Sequence, residues 1–155
     1  MRHFILSAAT AFLAIAISFA QTSVSTGHPA LDIKVKRCFV NGNNCYVDLV
    51  MTVSNEWSLV SFHNGSGNWA TQVFDDEGNH YSGDRYYGAI MYEYDGQQDA
   101  NGAYLKTVRD IPRKVRLIVP GIDEYAASLK LIVIPYQGGK NHYRMEIKDV
   151  PISRD

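Results

Sequence analysis

The sequence predicts an all-β fold, a sandwich of two sheets with seven to nine strands. Its apolar segments are short and alternate with polar residues at a period of two, as in half-buried strands. Clusters of Gly, Asn and Asp separate these segments and are typical of turns. The only candidate helical turn, "GIDEYAASL", is too short for a packed helix. Together these observations indicate antiparallel sheets.

Each predicted strand follows from its pattern. Residues 31–37 and 45–53 alternate apolar and polar side chains, and "NGNN" between them predicts a hairpin. Residues 114–119 place an apolar side chain at every second position. Residues 129–136 are apolar on both faces, which indicates a central strand. Residues 142–149 alternate cleanly, which is typical of a strand with one face in water.

The N-terminal region predicts export. Residues 1–20 combine a basic start, a short apolar run and small residues before Gln21, which is the pattern of a cleaved signal peptide. A membrane anchor would need about 20 apolar residues. We therefore expect a secreted or periplasmic protein with no membrane span after cleavage. Residues 21–30 are interpreted as a flexible lead-in, and residues 31–155 as a single β-sandwich domain.

Size and charge limit the possible functions. Removal of the signal leaves 135 residues (155 − 20), with 14 basic residues (15 less Arg2) and 16 acidic ones, a net charge of −2. A chain of this length buries about two-thirds of its unfolded surface without help from disulfides. No basic patch or charged tail is present in the sequence, so nucleic acid and anionic membranes are not expected as partners.

Three segments in chain order carry a resemblance to a known family. They are "VDLVMTVSN" at the end of the first hairpin, "WATQVFDDEGNHY", and "IPRKVRLIVPGI" before the terminal strand pair. This order, over residues 31–150, resembles the telokin-like, immunoglobulin-fold extracellular domains of secreted bacterial proteins of unknown function. The resemblance implies an immunoglobulin-like sandwich in an extracellular setting and supplies no active site. The tyrosine-rich middle of this chain is longer than that family's pattern.

Cys38 and Cys45 are the only cysteines, and a disulfide between them is expected in an exported protein. If Asn41 and Gly42 form a two-residue turn, the two cysteines lie directly opposite each other on the hairpin. Free or regulatory thiols are the alternative. Catalytic thiols are not indicated, because the spacing is not the C-x-x-C of redox-active pairs.

The register of this hairpin predicts an irregularity. Opposed cysteines would continue into a pair between Lys34 and Leu49, which puts a charge on the apolar face. A shift by one residue gives the better pair of Ile33 with Met51. A β-bulge at residues 36–37 would reconcile the two ends.

The sequence does not predict an enzyme. It contains no G-x-S-x-G elbow, and its histidines outside the signal are isolated, with no H-x-x-x-H or H-E-x-x-H spacing for zinc. These are His28, His63, His80 and His142. No metal or other cofactor is predicted. Glu93 and Asp95, at i and i+2, are the one carboxylate pair considered for glycoside hydrolysis, and acidic residues beside a loop explain them equally well.

Two loops carry further motifs. The segment "DDEGNHYSGD" is interpreted as a hairpin turn with Gly78 at a positive φ, and calcium binding is the alternative. The oxygen ligands considered for calcium are Asp75, Asp76, Glu77, Asn79 and Asp84. Asn64 begins an "NGS" glycosylation sequon, which is relevant only in a eukaryotic host.

The segment "YYGAIMYEYD" is the densest aromatic stretch of the chain. Read as a strand, one of its faces carries Tyr86, Gly88, Ile90, Tyr92 and Tyr94. That face either packs inside the sandwich or forms a stacking platform for a sugar ring or a protein partner. The candidate binding residues are Tyr86, Tyr92 and Tyr94, with Trp57 or Trp69 nearby.

The sequence as a whole favours an exported immunoglobulin-like module that binds another protein. A carbohydrate-binding module that uses the tyrosine-rich strand is the alternative. Exposure of the rings of Tyr92 and Tyr94 decides whether that strand can bind anything.

Overall fold

The computed structural model describes residues 21–86 and 88–154, so the predicted signal peptide, residues 1–20, lies outside the described residues. Twelve strands run through this part of the chain. In order they are β1 (Ser23–Ser25), β2 (Leu31–Asn41), β3 (Asn44–Val53), β4 (Leu59–His63), β5 (Gln72–Asp75), β6 (His80–Ser82), β7 (Met91–Tyr94), β8 (Gln97–Asp99), β9 (Gly102–Lys106), β10 (Arg113–Pro120), β11 (Ser128–Gly138) and β12 (Asn141–Pro151).

The strands form two antiparallel sheets. The five-stranded sheet has the order β2-β3-β10-β7-β8, and the seven-stranded sheet has the order β1-β12-β11-β4-β9, with β5 on β11 and β6 on β5. The all-β class and the two sheets are confirmed. The predicted count of seven to nine strands is too low, because three of the twelve strands have only three residues and show no alternation. The segment from Gly121 to Ala127 forms turns, not a helix.

Both sheets contribute to one core. Alternate residues of β3 and of β10 point inward, and the largest fully buried side chains include Tyr92 of the five-stranded sheet and Phe62 of the seven-stranded sheet. The rings of these two residues approach to 5.9 Å between centroids. The inward-pointing residues of the two sheets therefore form one shared apolar layer, and this layer causes the period-two pattern of the sequence.

The first hairpin contains the predicted bulge, but its turn lies one residue later than predicted. Ile33 pairs with Met51 as predicted, and the register shifts between Val35 and Arg37. Beyond the bulge, Asn41 pairs with Asn44. Gly42 is thus the first central residue of the turn, and its φ of 61° suits a type II′ turn.

The disulfide prediction is wrong for this structure. Cys38 pairs with Val47, and Cys45 pairs with Val40, so the cysteines are diagonal neighbours on the inner face of the hairpin. Diagonal residues have Cα atoms about 7–8 Å apart, beyond the usual range for a disulfide. The sulfur atoms lie 3.4 Å apart as two buried free thiols. The neighbouring Cys45 sulfur and burial raise the pKa of the Cys38 thiol far above its ordinary value.

The terminal segments of the described chain lie on edges of opposite sheets. Residues 21–30 were expected to be a flexible lead-in, but they contain strand β1, which pairs with β12 through Ser23–Ser25. After β12, Ser153 crosses to the other sheet and forms a parallel bridge with Phe39 of β2. Its amide donates to the carbonyl oxygen of Cys38, and its carbonyl oxygen accepts from the amide of Val40. No helix within the described residues is long and apolar enough to cross a membrane.

Candidate functional site

The tyrosine-rich strand packs the core. In β7 the side chains of Tyr92 and Tyr94 point inward, with exposures of 0% and 5%, and Ile90 just before the strand is also buried. The hydroxyl of Tyr92 lies 2.6 Å from Thr71 Oγ1, and burial raises the pKa of this tyrosine well above its ordinary value. The packing interpretation is correct for Ile90, Tyr92 and Tyr94, and neither tyrosine ring is available to stack on a ligand.

Tyr86 does not share the inner face with these residues. The strand begins only at Met91, so the alternation does not extend back through the described residues 83–86 and 88–90. The Tyr86 side chain is 65% exposed, and the guanidinium of Arg85 lies 4.9 Å from the centre of its ring. Of the three candidate tyrosines, only this one is accessible to a partner.

The two candidate tryptophans lie in separate clusters. Trp57 is half-buried, packs on the backbone of Gly138 in the β11–β12 hairpin, and lies 4.7 Å from His28 between ring centroids. Trp69 belongs to a single 3₁₀ turn, Gly67–Trp69, is 48% exposed, and lies 4.8 Å from His142 between ring centroids. The structure therefore does not bring the five predicted binding residues together.

Glu93 and Asp95 face arginines. The carboxylate of Asp95 accepts two hydrogen bonds from Arg113 Nη2, at 2.6 and 2.8 Å. Glu93 Oε1 accepts from Arg116 Nη1 at 3.4 Å. Each carboxylate pairs with its own arginine, so the two are not arranged as an acid and a base that share a substrate.

The segment around Asp75 is a hairpin turn, as predicted, with Gly78 at a φ of 88°. The Asp75 carboxylate accepts hydrogen bonds from the amides of Glu77 and Asn79, from the Asn79 side chain and from the Tyr81 hydroxyl, at 2.8–3.0 Å. Burial works against ionisation, but these hydrogen bonds hold the pKa of Asp75 below its ordinary value. Among residues 21–86 and 88–154, no three His, Cys, Asp or Glu side chains are grouped to hold a metal ion.

The sequon asparagine is a structural residue. Asn64 is 1% exposed, and its Nδ2 donates to the carbonyl oxygen of Ile90 at 3.0 Å. The atom that a glycan would modify is therefore inside the folded protein.

A row of alternating charges that sequence reasoning missed crosses the outer face of the five-stranded sheet. Arg37, Asp48, Arg116 and Glu93 stand side by side on β2, β3, β10 and β7. The Nε atoms of Arg37 and Arg116 lie 2.5 and 2.6 Å from the two oxygens of Asp48. Burial works against ionisation of Asp48, but the two guanidinium groups hold its pKa below the ordinary value. We call these four residues the charged row.

Aromatic side chains border the charged row on one side. Phe39 and Tyr46 are neighbours two residues further along β2 and β3, and their rings stack at 5.3 Å between centroids. The guanidinium of Arg37 lies 4.5 Å from the Phe39 ring, and that of Arg116 lies 5.4 Å from the Tyr46 ring. Ile118, opposite Tyr46 on β10, is buried on this outer face and is not part of the shared core. These contacts fix the two arginines in place.

A cavity of about 540 Å³ lies on the other side of the charged row. It is lined by Val50 of β3, by Lys114, which pairs with Val50 on β10, and by Lys36 in the bulge of β2. Asp95 also lines it. Within the described residues, neither Lys36 nor Lys114 forms an ion pair. We call this site the Val50 cavity.

The sequence carries a weak signal for this face. Each of the segments "KVKR", "VDLV" and "KVRL" has charged residues at solvent-facing positions, as any half-solvated strand does. Only the strand register shows that Arg37, Asp48 and Arg116 are neighbours across the sheet. The bulge changes which residues of β2 lie on the same face as Asp48 and Arg116. No protein-family model matches the chain, and no curated protein matches it.

Proposed function

We propose that this protein is an exported, immunoglobulin-like module that binds another protein through the outer face of its five-stranded sheet. The observation that carries the proposal is the charged row with its flanking aromatic pair. Arginine and tyrosine are enriched among the residues that dominate protein interfaces. Here Arg116 is held by Asp48 and Glu93 and lies against Tyr46.

Preorganisation supports this proposal. The side chains of the charged row are held by neighbours on adjacent strands, and Gln98 extends the row by donating to Glu93 at 3.1 Å. A partner that docks on this face therefore does not have to pay for ordering long, mobile side chains, which is a major cost of association. A binding surface of the same size built from mobile loops would lose more conformational entropy on binding than this sheet face does.

Site-specific photo-crosslinking tests the proposal. A photoreactive amino acid at Gln98, exposed at the end of the charged row, is compared with the same residue at Lys130, exposed on β11 of the other sheet. Both proteins are expressed in the native host and irradiated before lysis. We expect a protein adduct of defined mass from position 98 and none from position 130. Identical adducts from both positions, or no adduct from position 98, would contradict the proposal.

Export and the immunoglobulin-like topology are parts of the same proposal. The pattern of residues 1–20 supports export, and the two antiparallel sheets with a shared core support the fold. N-terminal sequencing of the protein recovered outside the cytoplasm tests export, and we expect it to begin at Gln21. A protein recovered only from the cytoplasm with its N-terminal segment intact would argue against export.

Carbohydrate binding is the second candidate function. The tyrosine-rich strand is not its site, because the rings of Tyr92 and Tyr94 are buried. The observation that favours it is the exposed indole of Trp69 beside His142, since sugars stack on exposed aromatic rings. Titration with neutral oligosaccharides tests it. Binding by the wild type that Trp69→Ala abolishes, with Trp57→Phe as the comparison, would favour the glycan.

A further inference from the structure

We infer that the Val50 cavity binds an acidic, extended segment of the partner protein, whose carboxylates contact Lys36 and Lys114. The inference rests on the proposed function, because it assigns the ligand class to one part of the same face. Its first support is the charge distribution. The carboxylates of Asp48, Glu93 and Asp95 at this cavity already face arginines. The positive charge of the lysines is therefore uncompensated.

Edge protection accounts for Lys36 but not for Lys114. Lys36 lies on β2, at the edge of the sheet, where lysines and bulges prevent pairing with other strands. Lys114 lies on β10, which pairs with β3 on one side and, at Arg116–Ile118, with β7 on the other. Because β10 is an interior strand, Lys114 indicates a different role for the positive charge around Val50.

The spacing suits an extended chain. Lys36 and Lys114 line the cavity from β2 and β10, the two neighbours of β3, so their Cα atoms are at least about 9.6 Å apart, two interstrand spacings. Alternate side chains of an extended peptide are about 6.6–6.8 Å apart, and flexible lysine side chains easily cover the difference. The half-buried Val50 gives the stems of the acidic side chains an apolar floor. A volume of about 540 Å³ accommodates a few side chains, not a domain.

The chemistry favours carboxylates over a nucleic acid. A nucleic-acid site presents a continuous basic surface to a phosphate backbone. At the Val50 cavity three carboxylates stand among the cations, so a long polyphosphate would meet repulsion at Asp48, Glu93 and Asp95. A short segment with two carboxylates brings less negative charge to these positions than a continuous phosphate backbone does.

The test is an NMR titration of the folded protein with a blocked octapeptide of alternating Glu and Thr. The matched Gln–Thr octapeptide and an oligogalacturonate of similar charge serve as the other probes. We expect the Glu–Thr peptide to shift amide signals around Val50 at low salt, with weak affinity. Lys36→Gln/Lys114→Gln is expected to weaken this binding about tenfold, as loss of two exposed ion pairs would.

The control is Lys106→Gln/Lys130→Gln, which removes the same charge from exposed positions on the seven-stranded sheet. Equal weakening by both double variants would overturn the inference, because it would show nonspecific attraction. Tighter binding of the oligogalacturonate would overturn it in favour of an acidic glycan, and absence of localised shifts would also overturn it.

These outcomes are separable from failure of the proposed function. If the Gln98 crosslink persists while the peptide shows no localised shifts, this sheet face still binds a protein and only the acidic segment is wrong. If the Gln98 crosslink is absent, the proposed function itself fails, whatever the peptide does.

Discussion

Removal of the Tyr92 hydroxyl provides a quantitative test of the core. Thr71 Oγ1 donates to the carbonyl oxygen of His63 at 2.9 Å, so the hydroxyl of Tyr92 donates to Thr71 Oγ1 at 2.6 Å. Tyr92→Phe removes this donor from a fully buried site, and Thr71 loses a hydrogen bond that water cannot replace. We expect the free energy of unfolding to fall by about 1–2 kcal/mol.

Urea unfolding followed by fluorescence measures the change. With an m-value of about 1–3 kcal/mol/M in urea, the midpoint should fall by roughly 0.3–2 M with m unchanged. Tyr104→Phe is the matched control, because Tyr104 is 46% exposed, and its change should stay within about 0.5 kcal/mol.

A double-mutant cycle with Thr71→Val decides the cause. In the Thr71→Val background the Tyr92 hydroxyl has lost its partner inside the core, so Tyr92→Phe should then be neutral or stabilising. If instead the costs of Tyr92→Phe and Thr71→Val simply add, the two hydroxyls do not interact, and our assignment of this hydrogen bond is refuted.

Three further predictions concern the turn, the thiols and a glycine. Because the pKa of Asp75 is depressed in the folded state, its stabilisation exists above the unfolded pKa of about 3.9 and is lost as pH falls through the folded pKa. Thermal unfolding from pH 7 to pH 3 should show a shallower pH dependence for Asp75→Asn, and an unchanged slope would contradict this. Cys38 and Cys45 should both react with Ellman's reagent in denaturant and neither in the native protein, whereas a titre of zero in denaturant would reveal a disulfide. In Gly138→Ala the new Cβ would lie 2.4 Å from the ring of Trp57, so we expect about 1–3 kcal/mol of destabilisation and altered tryptophan fluorescence; full wild-type stability would disprove this contact.

Alternation predicted the long strands well because it reports directly on the shared core. Leu31, Ile33, Leu49 and Met51 are all buried, as their spacing indicates. Short strands such as Ser23–Ser25 are paired because a neighbour offers main-chain partners, which no side-chain pattern reveals. The position of the first turn was predicted wrongly because both "NG" and "GN" suit two-residue turns, through different turn types.

The candidate site was harder to predict, because its parts lie far apart in the sequence. Alternation correctly placed Tyr92 and Tyr94 on one face, but composition does not say which face of a strand meets the core. The charged row combines Arg37, Asp48 and Arg116, and their proximity depends on strand order and on the direction of the bulge. Neither the strand order nor the direction of the bulge can be predicted from a single sequence.

The bridge between Ser153 and Phe39 has a consequence for self-association. Ser153 occupies the main-chain groups of Cys38 and Val40 on the outer side of β2. The bulge, Lys34 and Lys36 protect the first half of this edge strand from pairing with other strands. The Cys38–Val40 half has no lysine or bulge of its own. Proteolytic loss of residues 152–154 would leave an open template for a strand of a second molecule. We therefore expect a preparation trimmed of these residues to form dimers or fibrils more readily than the intact protein, which size-exclusion chromatography of the two would measure.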